Sequence, residues 1–383
     1  MIGEVRIQNY KSIQKLKLEL GRVTVLIGEN GCGKSNILEA IALASAAAND
    51  KLDNEFLAAR GIRVTEPRFM RSAFEKENLA LDIIISLLGQ NKQELSFVLN
   101  NDNHPYSQWR NKEAGKLSLL KLRDFLKTFD GDKEEFITKI ANDENVFINI
   151  FQEPLSKVID SMKLHNFLIY SPENYSLRIF EREEQIQPLG IYGEGLFKLL
   201  QVLSLEENQE KLTEIKKLLR LIDWFKDFEL PRTYSEFEYS LQITDRYLDT
   251  DLSYFDQRSS NEGFLFLLFY FTLFISDITP KFFAIDNIDA SLNPRLCRRL
   301  IEELVELAKN NDKQVILTTH NPAVLDGLDL EDEEQRLFVI SRNQLGYTKA
   351  TRILKPQPLE GQEPVKLSEA FLRGYIGGLP KNF

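Results

Sequence analysis

Apolar residues recur with two different spacings near the N-terminus. The segments EVRIQNY and KLKLEL alternate apolar and polar side chains, the spacing of half-buried strands. VTVLI (23–27) is an apolar run broken only by Thr24, which suits a strand covered on both faces. GENGCGKS (28–35) breaks the pattern, and NILEAIALASAAA, rich in Ala and Leu, predicts a helix. Between about 50 and 165 the signals are mixed. AFEKENLALDIIISLL and QELSFVLN predict strands or short helices around the turn NNDNHP, and KLSLLKLRDFLKTF and KEEFITKIAN have helical spacing. NFLIY (166–170) predicts a strand, SPEN a turn and PLGIYGEG a glycine-rich turn. LFKLLQVLSL and KLTEIKKLLRLIDWFKDF then predict two helices. From 232 onward strand and helix alternate again. YSLQITD, KFFAID, KQVILTTH and RLFVISR predict strands, and PRLCRRLIEELVELAKN, the start of NPAVLDGL and LSEAFLRGYIGG predict helices. EGFLFLLFYFTLFISD is helical in length and apolar nearly all round, so it should be buried.

Alternation at both ends of the chain predicts an α/β fold with one mostly parallel sheet assembled from two distant pieces, 1–50 and 165–383. Residues 51–164 are then a mainly helical insertion of mixed elements. No heptad pattern is sustained, so no coiled-coil arm is expected. The 383 residues suit such a two-part organisation, and 43% hydrophobic with 28% charged residues excludes wholesale disorder. A net charge of −10 argues against a generally basic nucleic-acid coat and leaves only a local patch. Two cysteines without C-x-x-C, and three histidines without ligand spacing, argue against a disulfide framework and a zinc site. The most apolar run, Gly263 to Ile275, is 13 residues, short of the roughly 20 that span a bilayer. The N-terminal segment lacks a signal-peptide pattern. A cytoplasmic chain without a membrane segment is the expectation.

The residues Gly28, Glu29, Asn30, Gly31, Cys32, Gly33, Lys34 and Ser35 fit G-x-x-x-x-G-K-[ST] between a predicted buried strand and a predicted helix. Glycines let successive amides point inward as an anion nest, and the helix start adds its positive end. Lys34 is placed to reach β- and γ-phosphates, and the Ser35 hydroxyl to bind Mg²⁺. Asn36 follows at the helix start. Asp286 ends the predicted strand FFAID, 252 positions beyond Lys34. A carboxylate there is costly unless it meets a cation or donors, and Mg²⁺ beside a phosphate loop is the natural partner. His320, at the end of VILTT, would stand at the carboxyl edge of the sheet, where open α/β sheets bind ligands.

The ordered set GENGCGKS, FFAID followed by ASLNP, and ILTTHNP resembles the ATP-binding-cassette ATPases of the RecF/SMC/OLD type. The opening VRIQNYKSIQKLKLELGRVTVLIGENGCGKSN is similar to that group's N-terminal segment. The likeness covers roughly 1–45 and 165–345 and is nearest to compact AAA-family ATPases, many encoded in bacterial antiphage defence systems. The resemblance implies a P-loop NTPase with an ABC-ATPase-like head, ATP and Mg²⁺ as cofactors, and a homodimer that sandwiches nucleotide between the phosphate loop of one subunit and a signature motif of the other. Asn261 and Gly263, within Ser260-Asn261-Glu262-Gly263, occupy the signature's place.

One departure bears on catalysis. The family usually follows the Mg²⁺-linked Asp with Glu as general base; here Asn287 follows, and an amide cannot accept the proton. Asp289 would substitute only if the turn re-aims it. ATP binding with slow hydrolysis is the expectation. The 63 residues after His320 hold no acidic nuclease core, so an effector, nuclease or toxin, would be a separate protein. The resemblance thus implies a sensor or scaffold subunit of a defence complex; the alternatives are a RecF-like repair ATPase that binds DNA and, least fitting, a transporter subunit. Arg60, Arg63, Arg68 and Arg71 form a basic stretch readable as a phosphate contact or as a solvated face, and the acidic run Asp329 to Glu334 reads as a solvated loop. Cys32 reads as a small filler within the loop.

Overall fold

The computed structural model describes residues 1–104, 107–112, 153–179, 188–205, 208–231, 240–249, 251–355 and 365–379. The expected helices at 116–129 and 133–142 lie outside these residues.

Two sheets enclose one helix. The first is antiparallel, in the order β2 (Ile13–Glu19), β1 (Ile2–Tyr10), β4 (Ile83–Gly89), β5 (Glu94–Asn100), β6 (Arg110–Asn111). Thus the 51–164 span supplies three strands that continue the sheet begun by the N-terminus, along with its short helices. The second sheet runs β13 (Thr348–Ile353), β12 (Gln335–Arg342), β3 (Val23–Ile27), β11 (Gln314–Thr319), β10 (Phe282–Ile285), β7 (Ile169–Tyr170). All its neighbours pair in parallel except β12 with β13. The mostly parallel α/β sheet expected from the sequence is present.

The helix Lys34–Ala48 lies between the sheets, and its small residues Ala40, Ala42, Ala44 and Ala46 are fully buried. Side chains without bulk let both sheets approach. This explains the unbroken burial of β3. Leu26 faces the helix, while Val23, Val25 and Ile27 face the opposite layer. That layer contains the helices Leu196–Leu203, Gln209–Leu219, Glu262–Ile275 and Pro294–Asn310. Every residue from Phe264 to Ile275 is buried, as the all-round apolar pattern requires. Among the described residues no helix is long and apolar enough to cross a membrane.

The structure differs from expectation in three elements. The helix predicted through Trp224 stops at Leu219, and Phe225–Glu229 forms β8, paired with β9 (Gln242–Asp245). A register shift between Phe225 and Asp227 turns both Phe225 and Phe228 inward. A bulged strand thereby copies the spacing of a helix. NPAVLDGL becomes a 3-10 helix, Pro322–Gly327, and NFLIY yields only the two-residue β7. The basic stretch does not form one face. Arg71 is buried, donating to the carbonyls of Leu81 and Asn101; Arg60 is buried; Arg63 pairs with Glu39 and Arg68 with Glu66. The acidic loop is tied down as well, with Glu333 on Arg352 and Glu331 on Lys355.

Lys313 is fully buried, and its ammonium donates to the carbonyls of Ser276, Thr279 and Pro280 and to Thr279 Oγ1. It thereby closes the C-terminal end of the helix Glu262–Ile275. Replacing Lys313 by Met keeps much of the volume but strands these acceptors, and should cost about 1–3 kcal/mol. Burial, with Lys281 nearby, pulls the Lys313 pKa from 10.5 down to about 7. Between those values the unfolded chain binds more protons, so stability should climb as pH rises across the window. Urea unfolding at pH 7 and pH 9 checks both: Lys313→Met should lose that part of the climb, and its deficit against the native chain should be larger at pH 9, where the native chain has gained it.

Candidate functional site

Three adjacent parallel strands, β3, β11 and β10, end on the same edge and deliver the three motifs side by side. The loop 28–33 leaves β3 and turns into the helix at Lys34. Two of its glycines, Gly28 and Gly33, are required by close neighbours. A Cβ on Gly33, whose φ is +110°, would fall 2.1 Å from Thr348 Oγ1, and one on Gly28 would fall 2.1 Å from the Ile340 carbonyl. Thr348 Oγ1 donates to the Cys32 carbonyl at 2.9 Å and Arg342 Nε to the Gly31 carbonyl at 2.8 Å. No side chain caps the helix that follows, so its first amides are left for an anion.

Lys34 is only 5% exposed. Its Nζ donates to the carbonyls of Gly28 at 2.8 Å and Glu29 at 3.1 Å, and lies 3.4 Å from His320 Nδ1. Burial lowers its pKa, opposed by Cys32, Asp286 and Asp289. Burial, and then the Lys34 charge, lower that of His320. A neutral ring whose Nδ1 faces an ammonium carries its proton on Nε2, which is then a donor.

Ser35 Oγ donates to Asp286 Oδ2 at 2.9 Å, and Thr318 Oγ1 donates to Asp286 Oδ1. The residues after Asp286 are pinned to the end of β11. Asn287 is exposed in a left-handed conformation, φ +58°, and its amide donates to Thr318 Oγ1 at 2.9 Å. Asp289 Oδ1 accepts from Thr319 Oγ1 at 2.6 Å and from the His320 amide at 3.4 Å. The turn therefore aims Asp289 at the β11 terminus. Burial raises the Cys32 thiol pKa, which suits an inert filler.

The structure thus brings Lys34, Ser35, Asp286, Asp289 and His320 together. Asn36 stands at the flank, donating to Ser12 Oγ at 2.7 Å, and Asn30 is exposed at the loop tip. Asn261 and Gly263 sit elsewhere, at the start of the helix Glu262–Ile275. Asn261 caps that helix, accepting from the Phe264 amide at 2.9 Å, and Ser260 Oγ is buried without a partner among the described residues. Sequence reasoning missed Thr318 as an Asp286 partner, and missed a cavity of about 400 Å³ beside the loop lined by Lys11, Ser12, Arg63, Phe74 and Arg342. These come from the β1–β2 turn, the 51–164 span and the end of β12, and no local motif links them.

A family model described as "AAA domain, putative AbiEii toxin, Type IV TA system" matches residues 23–326, which include the phosphate loop, Asp286 and His320. The chain belongs to this AAA_21 family. Among solved structures, an SMC head bound to the C-winged helix domain of ScpA matches 92% of the AAA_21 chain and 98% of its own, with a TM-score of 0.55 and 15% identity. An SMC head domain with a coiled coil and joint from Pyrococcus yayanosii matches 97% and 98%, with a TM-score of 0.50 and 13% identity. These likenesses show the fold. Among curated relatives, the uncharacterized protein MJECL10 of Methanocaldococcus jannaschii is 32% identical over 113 residues, 28% of this chain and 50% of that protein. The DNA replication and repair protein RecF of Bacillus thuringiensis is 38% identical over 55 residues, 14% of this chain and 15% of RecF. The chain therefore spans half or less of the length of these relatives. The chain thus carries an AAA_21 domain with the fold of the SMC heads.

Proposed function

We propose that this AAA_21 protein binds ATP with Mg²⁺ in the 28–35 loop, closes head to tail into a homodimer around two nucleotides, and hydrolyses them slowly. The observation that carries this is the meeting of Ser35 with Asp286 beside Lys34 and His320, with Asn287 next in the chain. The donor set fits Mg²⁺. Among the described residues there is no cluster of three or more His, Cys, Asp or Glu that would cage a metal. One carboxylate and one hydroxyl suit a cation that keeps waters and leans on phosphate oxygens. The ion would supply charge neutralisation between those oxygens.

In this reading Lys34 and the uncapped helix amides hold the β- and γ-phosphates, and Ser35 and Asp286 hold the ion. His320 donates from Nε2 to the γ-phosphate. The cavity lined by Lys11, Phe74 and Arg342 receives the nucleoside end. Asn287 can orient water through its side-chain oxygen but cannot take the proton, and Asp289 is engaged by Thr319. A nucleotide-held clamp follows rather than a fast motor. The head is formed by 1–50 and 165–383, with 51–164 inserted and its strands forming the flank.

The family description, with its type IV toxin–antitoxin system, supports a defence setting for this clamp; in our reading it is the sensor or scaffold there, with an effector in trans in the cytoplasm. The short RecF match supports a second reading, a repair ATPase that binds DNA. Light scattering with ATP should show the monomer mass doubling. Gly263→Arg should block that doubling while leaving nucleotide uptake intact, because Gly263 has ordinary space around it in the monomer. A mass that ignores ATP would sink the clamp. Salt-dependent DNA binding by the chain alone would favour the second reading, and co-purification of a nuclease or toxin without DNA affinity the first.

A further inference from the structure

At the opposite edge of the parallel sheet, where β7 and β10 begin, a cavity of about 400 Å³ is lined by residues including Arg60, Lys163, His165 and Lys281 together with the carboxylates Asp160 and Asp277. Arg60 is 8% exposed. Its guanidinium stacks over Phe56 at 3.7 Å, and one of its nitrogens donates to the His165 carbonyl at 3.0 Å. Among the described residues its Nε and His165 Nδ1, both closed to solvent, have no hydrogen-bond partner. The other cations at this cavity have carboxylates: Lys163 has Asp312, Lys281 has Asp277, and His165 Nε2 lies 3.3 Å from Asp160. Arg60 has no ion pair among the described residues, and no opposite charge offsets its burial, which pulls its pKa down to about 10.

A buried guanidinium without a counter-charge is costly, and the cost is relieved when an anion arrives with oxygens for its free N–H groups. The volume exceeds what one carboxylate fills and lies within the range of small-ligand pockets, about 300–1,000 Å³. We propose that this cavity is a second anion site, which takes the phosphate group of a small organic phosphate on Arg60 and His165, with Lys163 and Lys281 at its rim. It is separate from the nucleotide loop. The Arg60 carbonyl accepts from the Ile169 amide at the start of β7, and the Tyr170 carbonyl at its end accepts from the Asp286 amide. The two sites therefore face opposite ends of one strand.

The test uses full-length Lys34→Ala protein, which silences the phosphate loop, and inorganic phosphate as the probe, read by ³¹P line broadening at constant ionic strength. Saturable broadening is expected in this background. Adding Arg60→Met should weaken it at least tenfold, and Lys281→Ala, a change at the half-buried rim, should weaken it two- to fivefold. Glycerol phosphate should compete. No saturable broadening in the Lys34→Ala protein would overturn the site, as would binding untouched by both added changes. Acetate competing as well as phosphate would overturn the assignment of the ligand class. Failure here leaves the nucleotide site standing, because that site is already disabled by Lys34→Ala in the protein tested.

Discussion

Lys34→Ala should remove nucleotide binding while the chain still folds, with MgATP affinity falling by roughly a hundredfold to ten-thousandfold. The size follows from what the ammonium does. It is buried at the floor of the loop and already donates to two loop carbonyls, so it is positioned before any nucleotide arrives. Hydrogen bonds to charged groups contribute about 1.5–3 kcal/mol each, and two phosphate contacts of that kind correspond to two to four powers of ten. Removal also leaves the Gly28 and Glu29 carbonyls without this donor, so a modest loss of thermal stability should accompany it. Titration calorimetry of both proteins, with circular dichroism as the folding control, is the measurement. Affinity preserved within threefold would show that the loop is not the phosphate seat.

Much of this site could be read from sequence because its chemistry is local. The segment 28–35 carries loop, lysine and hydroxyl in eight consecutive residues, and Asp286 and His320 each end an apolar strand. What joins them is the parallel order β3, β11, β10, and the alternation of strands and helices implied that kind of sheet. The pairing of β1 with β4 was not legible. Both strands alternate, but nothing in either names a partner some eighty residues away. The same limit hid the cavity lined by Lys11, Arg63 and Arg342, since each comes from a different element. β8 was misread for a different reason, because the bulge between Phe225 and Asp227 gave a strand helical spacing. The basic stretch failed because charge was counted without burial. Arg60 and Arg71 are inside, where hydrogen bonds and ring faces hold them.

Asn287→Glu should speed ATP hydrolysis, by on the order of a hundredfold, which is the low end of what a positioned general base contributes. The position favours Asn for a backbone reason as well as a chemical one. At φ +58° the residue is left-handed, a conformation that Asn tolerates better than Glu. The substitution should therefore lower the melting temperature slightly. That strain is present in ground and transition states alike, so it should leave the barrier untouched. Asp289→Asn is the companion experiment. Asp289 already accepts from Thr319 Oγ1 and the His320 amide, so neutralising it should loosen the β11 terminus without removing a base. Steady-state phosphate release separates the alternatives. A fast Asn287→Glu protein with Asp289→Asn retaining most of the slow native rate would identify the missing carboxylate as the brake. A silent Asn287→Glu protein, with Asp289→Asn inactive yet still binding ATP, would instead make Asp289 the base and refute the slow-clamp reading at its chemical root.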